Sequence, residues 1–292
     1  MSAATQAAPV VLRSSARTLG KVIADPVAVS AMLTIAAFCF IALAAPSLIP
    51  YDPVAQSILH RGEAPSPTHW FGTDRYGRDT FSRVLLGTRW SLLLGLSAPL
   101  IAGTVGTTIG TLAGYFGGWF DRVTARVTDM LMAFPALLLG LMIAAGLGPG
   151  IGNLIGAVAV AFVPRFTRVA RASTLAVRAE PYVEASIAAG QIPLRIIGKH
   201  VLPNISGALV VVGTLWIATA IRVEATLSFI GLGVQPPEPS WGNIIHDGLT
   251  NLLGSPWPVV AAGAMLTLCV LAFNLLGDAL RDALDPAYRD QG

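Results

Sequence analysis

The sequence predicts an all-α integral membrane protein with six transmembrane helices. Three observations lead there. The 292 residues are 54% hydrophobic and only 12% charged, against about a quarter charged in soluble domains, and mean hydropathy is +0.67. Long uncharged runs recur, at or above the roughly 20 apolar residues that a bilayer core demands. The cations between those runs gather on alternate sides of the chain, as the positive-inside rule requires.

The first run, Val27–Ile49, is uncharged over 23 residues and makes one span. Trp90–Phe120 is uncharged over 31, enough for a second span and a turn. Within it Gly106, Gly110, Gly114 and Gly118 fall four apart on one face, a spacing that lets two helices approach closely in lipid. Internal packing is the simpler use of that stripe, and an interface with a second membrane subunit the alternative. Met130–Pro164, uncharged over 35 residues, is too long for one helix and is broken by GLGPGIGN at 146–153. It reads as a hairpin of two spans. Asn204–Ile221 begins a fifth span, and Gly248–Gly277 contains a sixth.

Six spans put both termini on one side. Of the 19 Lys and Arg residues, 13 then lie inside, five lie outside in 51–89, and Arg222 sits within a span. This orientation makes both termini cytoplasmic. A cleavable signal peptide is not expected, because the first run is span-length and no small-residue cleavage pattern follows it. The pI near 9.1 reflects arginines at span ends that meet anionic lipid, not nucleic acid. Arg165, Arg168 and Arg171, three apart at the inner end of the fourth span, are expected to meet lipid phosphates or a cytoplasmic partner. Cys39 and Cys269 both lie in apolar runs and imply neither disulfide nor metal ligation.

The most informative segment is the polar island Tyr182–Asn204, YVEASIAAGQIPLRIIGKHVLPN. Pro181 opens a short helix that Gly190 ends, Pro193 starts a second, and Pro203 is expected to break the chain before the next span. A compact helix pair on the cytoplasmic side reads as a docking element. The order Glu184, Ala185, Ser186, Gly190, then His200, Leu202 and Pro203 resembles the EAA loop of membrane subunits of ABC importers. Ser186 is a mild departure. His200 stands where the general pattern has an apolar residue, and His-x-Leu-Pro-Asn is similar to the peptide and nickel branch. GTDxxGRDxxSRxxxGxRxSL at 72–92 and Glu224 with LSFIGLGVQPPEPSWGN resemble the same branch, in its C-type subunits. The likeness covers roughly residues 20–285.

That resemblance implies a permease subunit of an ATP-driven importer for di- or oligopeptides, with nickel-chelate or glutathione import as alternatives. The architecture implied is a type I importer permease. It has an N-terminal tail (1–26), a first helix with an outer segment (27–89), and a five-helix core (90–283). The core carries the EAA-like loop at 180–204, and a C-terminal tail follows (284–292). The implied partners are a second, different permease, two ATPase subunits inside, a substrate-binding protein outside and membrane lipid. Coupling is then expected through Tyr182, Val183, Glu184, Ala185, Ser186, Gly190, Arg195, His200, Leu202 and Pro203. The surface at 231–257 is the implied docking face for the binding protein. Trp241 and Trp257 within it also suit a membrane–water boundary.

Other constellations carry less. Lys21 and Lys199 are the only lysines, and PLRIIGKH fails the phosphate-loop pattern at its first Gly and its final Ser/Thr. ATP and Mg²⁺ are therefore expected in partner subunits, with no cofactor and no catalytic residue in this chain. Arg222 and Glu224 are the charges inside a predicted span, near its outer end. They are candidates for the mouth of the substrate pathway, with snorkelling to headgroups as the structural alternative for Arg222. Asp74 and Arg78 pair if their segment is helical. His60, His69 and Asp74 show no metal-ligand spacing, so no metal site is expected. A secondary transporter or channel would need charges near the bilayer midplane, and none falls there. An intramembrane enzyme would need a catalytic constellation that is missing from the sequence.

Overall fold

A computed structural model describes Gly20 and residues 22–284. The predicted tails at 1–26 and 284–292 fall mostly outside the described residues. From Asp25 onward the described residues form ten α-helices. α1 is Pro26–Leu48, α2 Thr80–Phe116, α3 Gly118–Met132, α4 Ala136–Leu147 and α5 Ile151–Arg178. α6 is Pro181–Ala188 and α7 Pro193–Ile196, followed by a π-helical turn at Ile197–Val201 and α8, Leu202–Phe229. α9 is Trp241–Leu249 and α10 Trp257–Leu284. Among the described residues, five helical stretches are long and apolar enough to cross a membrane, and six if the bent pair α3–α4 is one span.

Local chemistry sets most boundaries. Asp25 caps α1 by accepting from the Val27 amide at 2.9 Å, with Pro26 in the first turn. Asp79 caps α2 by accepting from Ser82 N at 2.7 Å. α2 runs 37 residues, about 55 Å at 1.5 Å per residue and well beyond a bilayer core of about 30 Å. Part of the helix therefore extends beyond the bilayer core. Residue 90, where the sequence reading divides outer segment from core, lies inside this single helix.

Three sequence expectations are corrected. The glycine stripe stops at Gly114, because α2 ends at Phe116 and Gly117 turns the chain at φ +68°. Gly118 opens α3 at φ +67° with open space around it. The first arm of the predicted hairpin is not straight. α3 meets α4 at 90°, and the 12 residues of α4 span only about 18 Å. Pro203 does not break the chain either. The Leu202 amide bonds Ile197 O, five residues back, so the π turn absorbs the proline and α7 runs on into α8.

Packing follows from these lengths. α2 and α5 make the tightest pair, with Gly106, Gly110 and Gly114 against Val163–Thr174. Phe162, Leu154, Leu94 and Leu227 fill a core among α2, α5 and α8. A second core joins α1, α2, α8, α9 and α10 around Trp241, Phe38 and Phe273. A third, smaller one seats the polar island: Val183, Ile196, Ile197, Val201 and Ile205 close on Tyr115 of α2.

Candidate functional site

The polar island folds as a helix–turn–helix bracket. Pro181 and Pro193 each occupy the first turn of their helix, and Gly190 makes the corner at φ +73°, where a side chain would be strained. The Gly190 amide bonds Ile187 O at 2.9 Å and Gln191 N bonds Ser186 O at 3.2 Å, closing the end of α6. The Ser186 hydroxyl bonds back to Tyr182 O at 2.9 Å. His200 faces Tyr182 with ring centroids 6.0 Å apart, so the two ends of the motif meet in space. Partial burial, with Glu180 beside it, raises the Tyr182 phenol above its ordinary range and keeps it a neutral donor.

Burial divides the bracket into a root and an apex. Val183 is fully buried, as are Ile196 and Val201. Tyr182, Glu184, Ala185, Gly190 and Arg195 are exposed, and Leu202 and Pro203 stand at the start of α8. Ile192 is 68% exposed and Leu194 72%, with Ile187 and Tyr182 near half. Large apolar side chains are therefore left bare on the short hairpin. Glu184 has no ion-pair partner among the described residues.

A groove of about 670 Å³ runs along the membrane-spanning parts of α2 and α8. Thr104, Thr107 and Thr108 from α2 and Ser206 and Thr214 from α8 place hydroxyls in an otherwise apolar wall. Neither predicted pathway residue lies there. Glu224 is completely buried, which corrects its placement at a pathway mouth. Its carboxylate accepts from Ser91 Oγ at 2.9 Å and from Ser228 Oγ at 2.6 Å. Ser228 Oγ in turn accepts from Val234 N at 3.2 Å, so Glu224 ties α2 to α8 and to the loop before α9. Arg222 is exposed, and among the described residues its side chain bonds only its neighbour Thr219, at 3.2 Å.

Charge ties the segment before α2 to α9. Arg78 bonds Asp74 at 2.6 Å and Asp247 at 2.9 Å, with Arg83 beside both. The segment is a tight turn closed by Gly77, not a helix, yet Asp74 and Arg78 still pair. Trp90 Nε1 bonds Glu238 at 2.8 Å. Trp241 is no membrane anchor: fully buried, it donates to Val84 O at 3.2 Å and packs edge-on to Phe38. Trp257 remains partly exposed. Asp74 is committed to the arginines, and the acidic residue that joins His60 and His69 is Glu63.

The arginines of α5 also differ from expectation. Arg171 pairs with Asp121 and Arg168 with Asp129, both on α3, while Arg165 lies over the Trp216 ring at 4.6 Å. The eight-residue spacing of Asp121 and Asp129 on amphipathic α3 was the available signal, and the sequence reading passed it over.

Residues 106–290, which take in the end of α2, the bracket and α8, match the family described as binding-protein-dependent transport system inner membrane component. The chain belongs to that family. It is thus a multi-pass inner-membrane permease and not an enzyme. The dipeptide transport system permease protein DppC of Alkalihalophilus pseudofirmus is 41% identical over 265 residues, covering 91% of this chain and 87% of that protein. The glutathione transport system permease protein GsiD of Pectobacterium atrosepticum is 40% identical over 264 residues, covering 90% and 88%. A chain of the MetNI methionine ABC transporter, solved in inward-facing conformations, superposes with a TM-score of 0.57 at 19% identity. It covers 70% of this permease and 98% of that chain. The ABC-importer permease fold is common to both.

Proposed function

We propose that this permease is one of two different membrane subunits of an ATP-driven importer of di- and oligopeptides. Two ATPase subunits dock on the cytoplasmic side, one of them on α6 of this chain, and a substrate-binding protein delivers cargo from outside. The observation that carries the reading is the bracket: an exposed apolar apex on a root fixed by Val183. A push on the apex passes through α7 and the π turn into α8 without a flexible joint. Glu184 gives the ATPase a carboxylate for charge-assisted hydrogen bonds. ATP and Mg²⁺ belong to those partners. The hydroxyl-lined groove between α2 and α8 suits a wall of the pathway, completed by the second permease. The bias of basic residues supports cytoplasmic termini. Peptides are favoured as cargo because dipeptide and glutathione permeases are similar at nearly the same identity, 41% and 40%, and glutathione is itself a small peptide.

The test is reconstitution of this chain with its co-encoded permease, ATPases and binding protein in proteoliposomes. Uptake of a labelled dipeptide that needs ATP and all partners is the expected result. Uptake by this chain alone would establish an ATP-independent transporter instead. Uptake of glutathione or a nickel chelate, with dipeptides excluded, would reassign the cargo.

A further inference from the structure

Outside the membrane, the segment before α2 brings together three donors of different reach. His60, Glu63 and His69 each offer one ligand atom, and these atoms lie within 4.8 Å of one another. His60 Nδ1 is already 2.8 Å from Glu63 Oε1. Neighbouring ligands of a tetrahedral ion with bonds near 2.1 Å sit about 3.4 Å apart. His60 and Glu63 are half-exposed, which leaves their side chains room to rotate toward that spacing.

The backbone under the donors is fixed. Thr73 N bonds Glu63 O at 3.1 Å, Glu63 N bonds Thr73 Oγ1 at 2.9 Å, and that hydroxyl donates to His60 O. Ser66 N bonds His69 O at 2.9 Å, closing the loop between them. His69 is oriented from behind: its Nδ1 lies 2.8 Å from Asp79 Oδ1, and Asp79 is held by the Ser82 amide. A carboxylate accepts only, so Nδ1 carries the proton and Nε2 keeps its lone pair. A carboxylate behind a ligating histidine is the usual outer-shell arrangement of metal sites. The Tyr51 ring, 4.9 Å from the imidazole, covers its flank. A cleft of about 340 Å³ lined by His60, His69 and Asp79 leaves room for entry.

We propose that His60, Glu63 and His69 bind a divalent transition metal of the zinc class on the outer face, with Asp79 as the positioning residue for His69. Two imidazoles and one carboxylate form a borderline donor set that suits Zn²⁺ and leaves a fourth position for water. The ion pins the turn at 60–63 to the cap of α2, and so to the outer end of the helix that lines the groove. This site is separate from the cargo and does not depend on the transport reading.

The experiment uses the full chain, without an oligohistidine tag, in lipid nanodiscs. Zn²⁺ is titrated against a chromophoric competitor, and zinc-edge X-ray absorption reports the ligands. One zinc per chain with two imidazole ligands is expected. His60→Asn and His69→Ala should each lose at least about tenfold in affinity, whereas His246→Asn, elsewhere on the outer face, should lose none. Asp79→Asn keeps a capping side chain but removes the carboxylate, and should weaken zinc by about 10–100-fold with the thermal midpoint unmoved. Should His69→Ala fail to fold, the exposed His60→Asn decides. A wild type that binds no zinc at free concentrations well above micromolar overturns the site, as does unchanged binding in His60→Asn.

Discussion

Replacing Gly110 by alanine tests the close contact between α2 and α5. A Cβ at Gly110 would stand 2.3 Å from Thr167 O, 2.9 Å from the Ala170 Cβ and 3.0 Å from Arg171 N on α5. These are backbone atoms and a first side-chain carbon, so no rotamer relieves them. Restoring ordinary contact of 3.4 Å or more requires α2 and α5 to part by about 1 Å, in a core that is close-packed. Overpacking of this kind costs about 1–3 kcal/mol. The gain in helix propensity from Gly to Ala, at most about 1 kcal/mol, offsets part of it. A net loss of about 1–2 kcal/mol lowers the midpoint by about 2–8 °C in a chain of this size. Heating the detergent-solubilised permease and following the surviving monodisperse fraction by size exclusion reads that shift. Gly156→Ala, on α5 with nothing within 4 Å, is the matched control and should be neutral or stabilising. Adding Ala170→Gly should rescue little, because the carbonyl of Thr167 is the nearer obstacle. Equal midpoints for Gly110→Ala and Gly156→Ala would refute the close α2–α5 approach.

At the bracket, root and apex should separate. Val183→Ala removes buried apolar contact and should destabilise by about 1–3 kcal/mol, while Leu194→Ser should leave the melt unchanged but reduce co-purifying ATPase. At Gly190 the positive φ ranks substitutions, so ATP-coupled uptake should fall from Gly to Asn to Val, since Asn tolerates the left-handed region and a β-branched residue does not. Glu224→Leu strands the Ser91 and Ser228 hydroxyls in a closed interior and should lower stability by about 1–3 kcal/mol. Arg222→Gln, which loses one exposed hydrogen bond, should melt with the wild type.

The sequence carried the bracket almost completely, because its corners are made by residues whose backbone limits are intrinsic. Pro181, Gly190 and Pro193 act through φ and a missing N–H, and these do not depend on what packs nearby. Pro203 follows the same chemistry but failed as a stop signal. A π turn, which one sequence does not announce, supplied a longer hydrogen bond around it. The spans were legible in number from hydropathy, yet the 90° bend at Ala133–Pro135 was not. An uncharged run records only what lipid tolerates and not the direction the helix takes.

Side-chain partners were the least legible part, for a related reason. Glu224 and Arg222 look alike in sequence, two charges two residues apart, and helical geometry correctly points them to opposite sides. Which side is interior depends on Ser91, more than 130 residues earlier. Trp241 resembles an interfacial anchor until α2 and α1 close over it. Asp74 stands near the histidines in sequence, but two arginines claim it, and Glu63 takes its place because the Thr73 bridge folds the turn back. In each case the deciding neighbour lies across the fold. Local chemistry therefore identified the bracket, the element that we propose transmits force to α8. The groove wall, the buried carboxylate and the outer histidine cluster became visible only once the long helices had been laid side by side.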